Sequence, residues 1–342
     1  MKILVYTDVH WCSTSSIVTQ RGKKYSVRLE HLIDSMNWVE SLDCDLVVCL
    51  GDFFDKPNLN AEEISALKEI KWTDKEHYFL VGNHDSNVSD LSFTSAYALS
   101  MKNYHIVTES QVHTFGESQI LLLPYITEDN RQPLESYWQN KKDENKNQII
   151  FSHNDIKGVQ YGKFLSETGF SLDEIDEECS LFVNGHIHNF GYVSDNALNL
   201  GNLCGQNFNE DATKYNHYAM VFDTDTLDVE FIENPYALNF YKYIITKDKD
   251  IVNCFNEIKN NSVISFKCEE KLLDKLNETL YNNKDRIVKS RINLSFSNDE
   301  TQSAQISQLA TTNYITQFCN YVLENLDNST LLKEELSYIV GE

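Results

Sequence analysis

The chain has 342 residues, 41% of them hydrophobic and 24% charged, with a formal net charge of -23. That length buries a substantial core without staples, and those fractions exclude a disordered or fibrous chain. The acidity argues against a general nucleic-acid coat, because such coats neutralise phosphates with Lys and Arg.

The opening run "MKILVYT" predicts a first strand and carries no leader-cleavage signature. No apolar stretch is long enough to span a bilayer, so a cytoplasmic location without membrane partners is expected. Short β-rich runs then alternate with helix-like stretches: a helix over 26–41, "DLVVCL", a helix over 61–70, "HYFLV" and a helix over 92–101. This is the α/β rhythm of strands buried on both faces. "QILLLP", "QIIFS", "SLFVN", "HYAMVFD" and "LDVEFI" follow with little room for helices between the last of them. The fold class expected is α/β, with two sheets packed as a sandwich and flanked by helices. The eight cysteines form no C-x-x-C pair and several sit in apolar runs, which reads as reduced core thiols.

Pro235 and a shift in composition end a first domain at 1–235. In a second, smaller α+β domain over 236–300, residues 242–291 carry 11 Lys or Arg against 8 Asp or Glu, a local basic excess. Residues 301–342 read as a linker and a helical segment. Positions 301–323 hold no charge; Ile315, Phe318, Val322 and Leu326, then Leu332, Leu336 and Ile339, recur at helical spacing. Two short amphipathic helices there either cover the protein's own core or present an apolar stripe to a partner, and their position at the end favours the partner.

Five short strings end or closely follow a predicted strand: "TDVH" (7–10), "GDFFD" (51–55), "GNHD" (82–85), "FSHND" (151–155) and "NGHIH" (184–188). In open α/β sheets, ligands bind at the carboxyl ends of strands, so these loops are expected to line one crevice. Together they offer Asp8, His10, Asp52, Asn83, His153, His186 and His188. Each string alone is an ordinary turn, but the ordered set of nitrogen and oxygen donors without a thiolate suits manganese, iron or zinc. Seven ligands exceed the needs of one transition metal and match two cations that share a carboxylate, the arrangement that activates water for attack at phosphorus. An extended backbone over 184–188 would point His186 and His188 to the same side, with Ile187 packed behind.

D-x-H, G-D-x-x-D, G-N-H-D, a lone His and G-H-x-H in this order resemble the signature of calcineurin-like metallophosphoesterases, over roughly residues 1–235. The resemblance implies a two-sheet metallophosphoesterase sandwich and two divalent cations, manganese first among them. One cation would take Asp8, His10, Asp52 and His188; the other Asp52, Asn83, His153 and His186. G-D-x-F-D with G-N-H-D is similar to the nuclease subunits of double-strand-break repair and phage recombination complexes, the SbcD type. The strings lack the Arg of the protein phosphatase signature, and position 85 is Asp where that signature has Glu. "LGNLCGQNFNED" departs from the nucleases' G-S-P loop with Gly201, Asn202 and Leu203, and Asp55 stands where some members place a second His.

That resemblance implies a DNA exo- or endonuclease acting in end processing, recombination or repair. Its catalytic pair is expected to be His84, the general acid, and Asp85, which orients it. The implied partners are DNA, an SMC-like coiled-coil ATPase gripped by the C-terminal helices, and a second copy in a homodimer. The 236–300 domain would cap the site and face DNA. Arg21, Lys23, Lys24 and Arg28 in "RGKKYSVR" are either contacts to the DNA backbone or an exposed helix start. The competing readings are a metallophosphoesterase for a nucleotide or another small ester, and a non-enzymatic scaffold for the ATPase.

Overall fold

A computed structural model describes residues 1–87, 90–161 and 164–295. Two six-stranded sheets pack face to face. The first runs, in spatial order, Val229–Glu233, Tyr218–Asp223, Lys2–Tyr6, Leu46–Cys49, Glu76–Leu80 and Tyr104–Val107. Its last four strands are parallel. The second runs Gly191–Tyr192, Ala197–Asn199, Leu181–Asn184, Asn147–Ser152, Ser118–Leu123 and Gln111–Phe115, with a parallel run from Ala197–Asn199 to Ser118–Leu123.

The continuous apolar character of these strands follows from cover on both faces. Ile3, Val5, Leu46 and Val48 meet Ile120, Leu122, Ile149 and Phe151 in the core between the sheets. Alternate residues Leu4, Tyr6, Val47 and Cys49 turn the other way, toward Leu29, Leu32, Met36 and Val39. Those four lie at helical spacing on Val27–Ser41, which Ser26 caps by accepting a hydrogen bond from the Leu29 amide. Each such apolar side chain contributes about 1.5–3 kcal/mol on burial. The outer face of the second sheet has thinner cover, chiefly Trp138, Phe170 and Ile175 of the short helix Leu172–Glu178 and its neighbours.

The expected helix over 61–70 is shorter, Ala61–Ala66 with a capping box from Asn60 and Glu63, then a 3-10 turn Leu67–Glu69. The expected helix over 92–101 does not form. Residues Asp90–Thr94 make a strand and Ser95–Leu99 a 3-10 turn. The cause is local: the Thr94 and Ser95 hydroxyls and the Ser95 amide all donate to the Asp85 carbonyl, and Thr94 also caps Ala96, so hydroxyl side chains outcompete the helix.

Beyond the sandwich, Asn239–Ile245, Ser262–Glu269 and Ile287–Ser295 form a three-stranded parallel sheet joined by the helices Asp248–Glu257 and Leu273–Asn282. Parallel pairing demands crossover connections, so this smaller unit alternates strand and helix and is α/β in kind, a correction to the expected α+β character. It has its own core around Tyr241, Ile251, Phe255, Ile264, Phe266 and Leu276. A small cluster of Val18, Phe208, Leu238, Phe240 and Val263 joins it to the sandwich. The C-terminal stripe of Ile315, Phe318, Val322, Leu326, Leu332, Leu336 and Ile339 lies outside the described residues. Cysteines 12, 44, 49, 179, 204, 254 and 268 are buried and unpaired. No helix among the described residues is long and apolar enough to cross a membrane.

Candidate metal centre

The parallel strands of both sheets end at a common edge, and the five strings leave from there. The backbone ties them together: the Asp8 amide donates to the Gly51 carbonyl, the His10 amide to the Asp52 carbonyl and the Gly185 amide to the Ser152 carbonyl. Asp8, His10, Asp52 and His186 all adopt left-handed backbone, with φ of 52°, 48°, 49° and 70°. Such conformations cost non-glycine residues on the order of 1–3 kcal/mol each and concentrate at functional sites. Gly51 (φ 134°) and Gly82 serve close approach; a Cβ at Gly51 would lie 2.5 Å from His153 Nδ1 and one at Gly82 2.1 Å from Asp52 Oδ1.

Three groups of ligand atoms result, two built on Asp8 and Asp52 and a third of His10, Asp55 and His84. In the first, Asp8, His10 and His188 come together. Asp8 Oδ2 accepts from the Thr7 hydroxyl at 2.6 Å and the His186 amide at 3.0 Å. Its other oxygen, Oδ1, is buried without a hydrogen bond, 3.7 Å from both His10 Nε2 and His188 Nε2. Those two ring nitrogens face each other at 3.1 Å. Each ring is held from behind by a carboxylate, His10 Nδ1 by Asp55 Oδ1 at 3.2 Å and His188 Nδ1 by Glu210 Oε1 at 3.0 Å. A carboxylate at Nδ1 keeps the proton there and aims the Nε2 lone pair at the partner, which is how metal-binding imidazoles are oriented. Two converging lone pairs need positive charge between them, a proton or a cation.

In the second cluster, Asp52, His153 and His186 meet. Asp52 Oδ2 lies 3.2 Å from His153 Nε2 and 3.8 Å from His10 Nε2, so this oxygen sits between the clusters. Its Oδ1 accepts from the His84 amide at 2.8 Å. His153 is fully buried, and neither ring nitrogen makes a hydrogen bond despite the short approach to Asp52. His186 Nε2 is 3.3 Å from Asp155 Oδ1, leaving Nδ1 to face Asn83 Oδ1 at 2.9 Å. The orphaned Asp8 oxygen and the two bare nitrogens of His153 are what buried polar groups show only when something else satisfies them. The residues present therefore fit two divalent cations.

The electrostatics agree. Burial opposes ionisation of Asp8, but the approach of His10 and of the neighbouring His153 and His188 holds its carboxyl at about 2. Burial likewise opposes a charge on His10, yet Asp55 and Asp8 raise it to about 10. Asp52 is lowered against burial, chiefly by His153. The pocket thus favours positive charge at the points where the lone pairs converge.

His186 and His188 both enter the centre, but not through an extended backbone. The strand stops at Asn184, His186 turns left-handed, and Ile187 is buried behind. The turn is what sends the two rings to different clusters. A second correction concerns Asp85. Its carboxylate accepts from the Phe54 amide at 2.7 Å and the Gly82 amide at 2.8 Å, clasping two loops, and burial followed by the charge on Asp52 raises it to about 8. The contact that orients His84 is instead the Asp55 carbonyl, 3.0 Å from Nδ1. The His84 ring is exposed and stands edge-on to His10 at 4.8 Å.

The basic cluster divides. Arg28 is buried, 3% exposed, and cannot reach DNA. Its guanidinium donates to Cys12 Sγ at 3.3 Å, the Gly205 carbonyl at 3.0 Å and the His10 carbonyl at 3.3 Å. Arg21 pairs with Glu62 and Lys24 with Glu69, while Lys23 is exposed. We expect Arg28→Met to lower the free energy of unfolding by about 2–5 kcal/mol, since two buried carbonyls each lose a donor. Urea unfolding measures this; a loss below about 1 kcal/mol would mean that water replaces the guanidinium.

A two-sheet sandwich with clustered His, Asp and Asn donors at the strand ends defines a metal-dependent phosphoesterase. The chain belongs to the calcineurin-like phosphoesterase family, whose sequence profile matches residues 1–190. That match ends just past His188. Comparison with curated protein sequences gives no match. Among solved structures, the protein of unknown function AQ665 from Aquifex aeolicus overlaps at a TM-score of 0.28 and 16% identity, covering 55% of this chain and 79% of that one. That overlap is too small to build on.

Proposed function

We propose that the chain is a manganese-dependent DNA exo- or endonuclease, working as the nuclease subunit beside an SMC-like ATPase. The observation that carries this reading is the pair of ligand clusters with the exposed His84 ring at their mouth. In it, Asp8, His10, Asp52 and His188 would hold one cation, and Asp52, Asn83, His153 and His186 the other. Two divalent cations held there would activate water and neutralise charge developing at phosphorus. His84 supplies the proton for the leaving sugar oxygen: with Nδ1 fixed on the Asp55 carbonyl, Nε2 is the atom that carries and delivers it. Asp55 and Glu210 act through the imidazoles they hold.

We expect Glu210→Gln to weaken cation binding by about 10- to 100-fold while leaving the fold intact. Titration calorimetry with Mn²⁺ checks this, and unchanged affinity would limit Glu210 to packing. The nuclease reading itself is tested by degradation of linear DNA with manganese, compared with a generic phosphodiester, for the natural chain and His188→Ala. Ester turnover without DNA cleavage, even with an SMC-like ATPase present, would sink it. The second reading, a phosphoesterase for a nucleotide or other small ester, draws support from the net charge of -23 and from the burial or pairing of Arg28, Arg21 and Lys24. If Lys23 touches the DNA backbone, replacing it should flatten the slope of log Kd against log salt by about 0.9 for each phosphate it neutralises.

A further inference from the structure

We infer that the cleft beside His84 is a nucleobase subsite, in which Phe93 and Tyr97 stack the base of the nucleotide adjoining the cleaved bond. This rests on the nuclease reading above and names the form of nucleic acid that the site takes. The cleft has a volume of about 860 Å³, and its lining includes Asn83, His84, Asp55, Lys56, Phe93 and Tyr97. The lining therefore brings a candidate catalytic imidazole and two aromatic side chains to one cavity.

Phe93 is 71% exposed and Tyr97 51% exposed. Large aromatic surface left in water forgoes a burial term that the rest of the sandwich collects. Nor is the segment loosely attached. Thr94 pairs with Ser86, the Thr94 and Ser95 hydroxyls and the Ser95 amide converge on the Asp85 carbonyl, and the Asp85 carboxylate clasps Phe54 and Gly82. One residue thus anchors both the aromatic segment and the loops that carry Asp52 and Asn83. The segment that carries the aromatic rings is tied to the loops of the centre, as a substrate subsite requires.

A nucleobase is the occupant that this lining suits. Aromatic faces stack any base and need no directed donors, and Lys56 lines the same cleft. Lys56 is itself steadied by Glu63 at 3.2 Å. A base inside a duplex presents no free face, so the subsite takes bases at strand ends or in single strands. The site would then act at termini rather than within intact duplex.

The test uses the full chain with manganese and single-stranded oligonucleotides whose terminal residue bears either a base or an abasic tetrahydrofuran. The natural chain should favour the base-bearing substrate by about tenfold in KM, and Phe93→Ala/Tyr97→Ala should bring that ratio to about one. A second readout needs no turnover: in EDTA, terminal 2-aminopurine should be quenched by the natural chain and by Phe93→Trp, but not by the double variant. If the double variant fails to fold by circular dichroism, Phe93→Leu, which keeps bulk without a π-face, should still lower the ratio. An unchanged ratio and quench in a folded variant would overturn the subsite. So would a variant that becomes monomeric in sedimentation while keeping its base preference, since the patch would then be a contact between copies. If neither oligonucleotide is cut while a simple phosphate ester is turned over, the nuclease reading fails and the subsite with it.

Discussion

His84→Ala should lower turnover of a natural phosphodiester by about 100- to 10,000-fold, the usual range for loss of a positioned acid. The loss should depend on the leaving group. An alkoxide needs a proton as the bond to phosphorus breaks, whereas p-nitrophenolate leaves well without one. The same variant should therefore retain most of its activity toward a p-nitrophenyl ester. Manganese affinity should fall little, because the His84 side chain groups with His10 and Asp55 rather than with the Asp8 or Asp52 cluster, and its amide bond to Asp52 is made by backbone. Equal losses on both substrates would assign His84 to positioning rather than proton transfer, and no loss would remove it from the mechanism.

The second large effect is expected at Asp52, whose Oδ2 lies between the clusters. A divalent cation at 100 times its Kd stabilises a folded protein by about 2.7 kcal/mol, which for a chain of this size raises Tm by roughly 5 °C. Asp52→Asn keeps the shape of the side chain and removes the charge that both cations would share. Added manganese should then raise the Tm of the variant little, and turnover should fall further than with His84→Ala. A variant that gains the same Tm as the natural chain would show that the clusters bind without a shared carboxylate.

Much of this centre was legible because its parts are coupled to strand ends. Strands buried on both faces are conspicuous apolar runs, and donors that follow them within four residues fall at one sheet edge whatever the intervening loops do. The residues that support the ligands were not legible in the same way. Glu210 lies 22 residues beyond His188 in "GQNFNED", with no periodicity to mark it, and only the fold brings its carboxylate to the imidazole. Asp55 was visible as a departure from a motif, but its two contacts, side chain to His10 and carbonyl to His84, depend on how the loop turns. Arg28 misled because charge in a sequence suggests solvent. Its burial follows from three acceptors, two on the loop of His10 and Cys12 and one at Gly205, that only the fold brings together. The stretch 92–101 misled for a related reason: hydroxyl side chains found an acceptor at Asp85 that helix propensity does not foresee.

The left-handed backbone at Asp8, His10, Asp52 and His186 bears on how the loops behave before the site is loaded. Four unfavourable conformations sit on adjoining loops, and the unsatisfied Asp8 and His153 atoms lie between them. These turns should be the first part of the sandwich edge to open, while the strands behind them stay closed. Amide hydrogens of residues 8–10, 52 and 186 should then exchange with solvent faster than their depth suggests, and slow selectively when manganese is added. Loading the site would in this way also complete the folding of the edge that holds it.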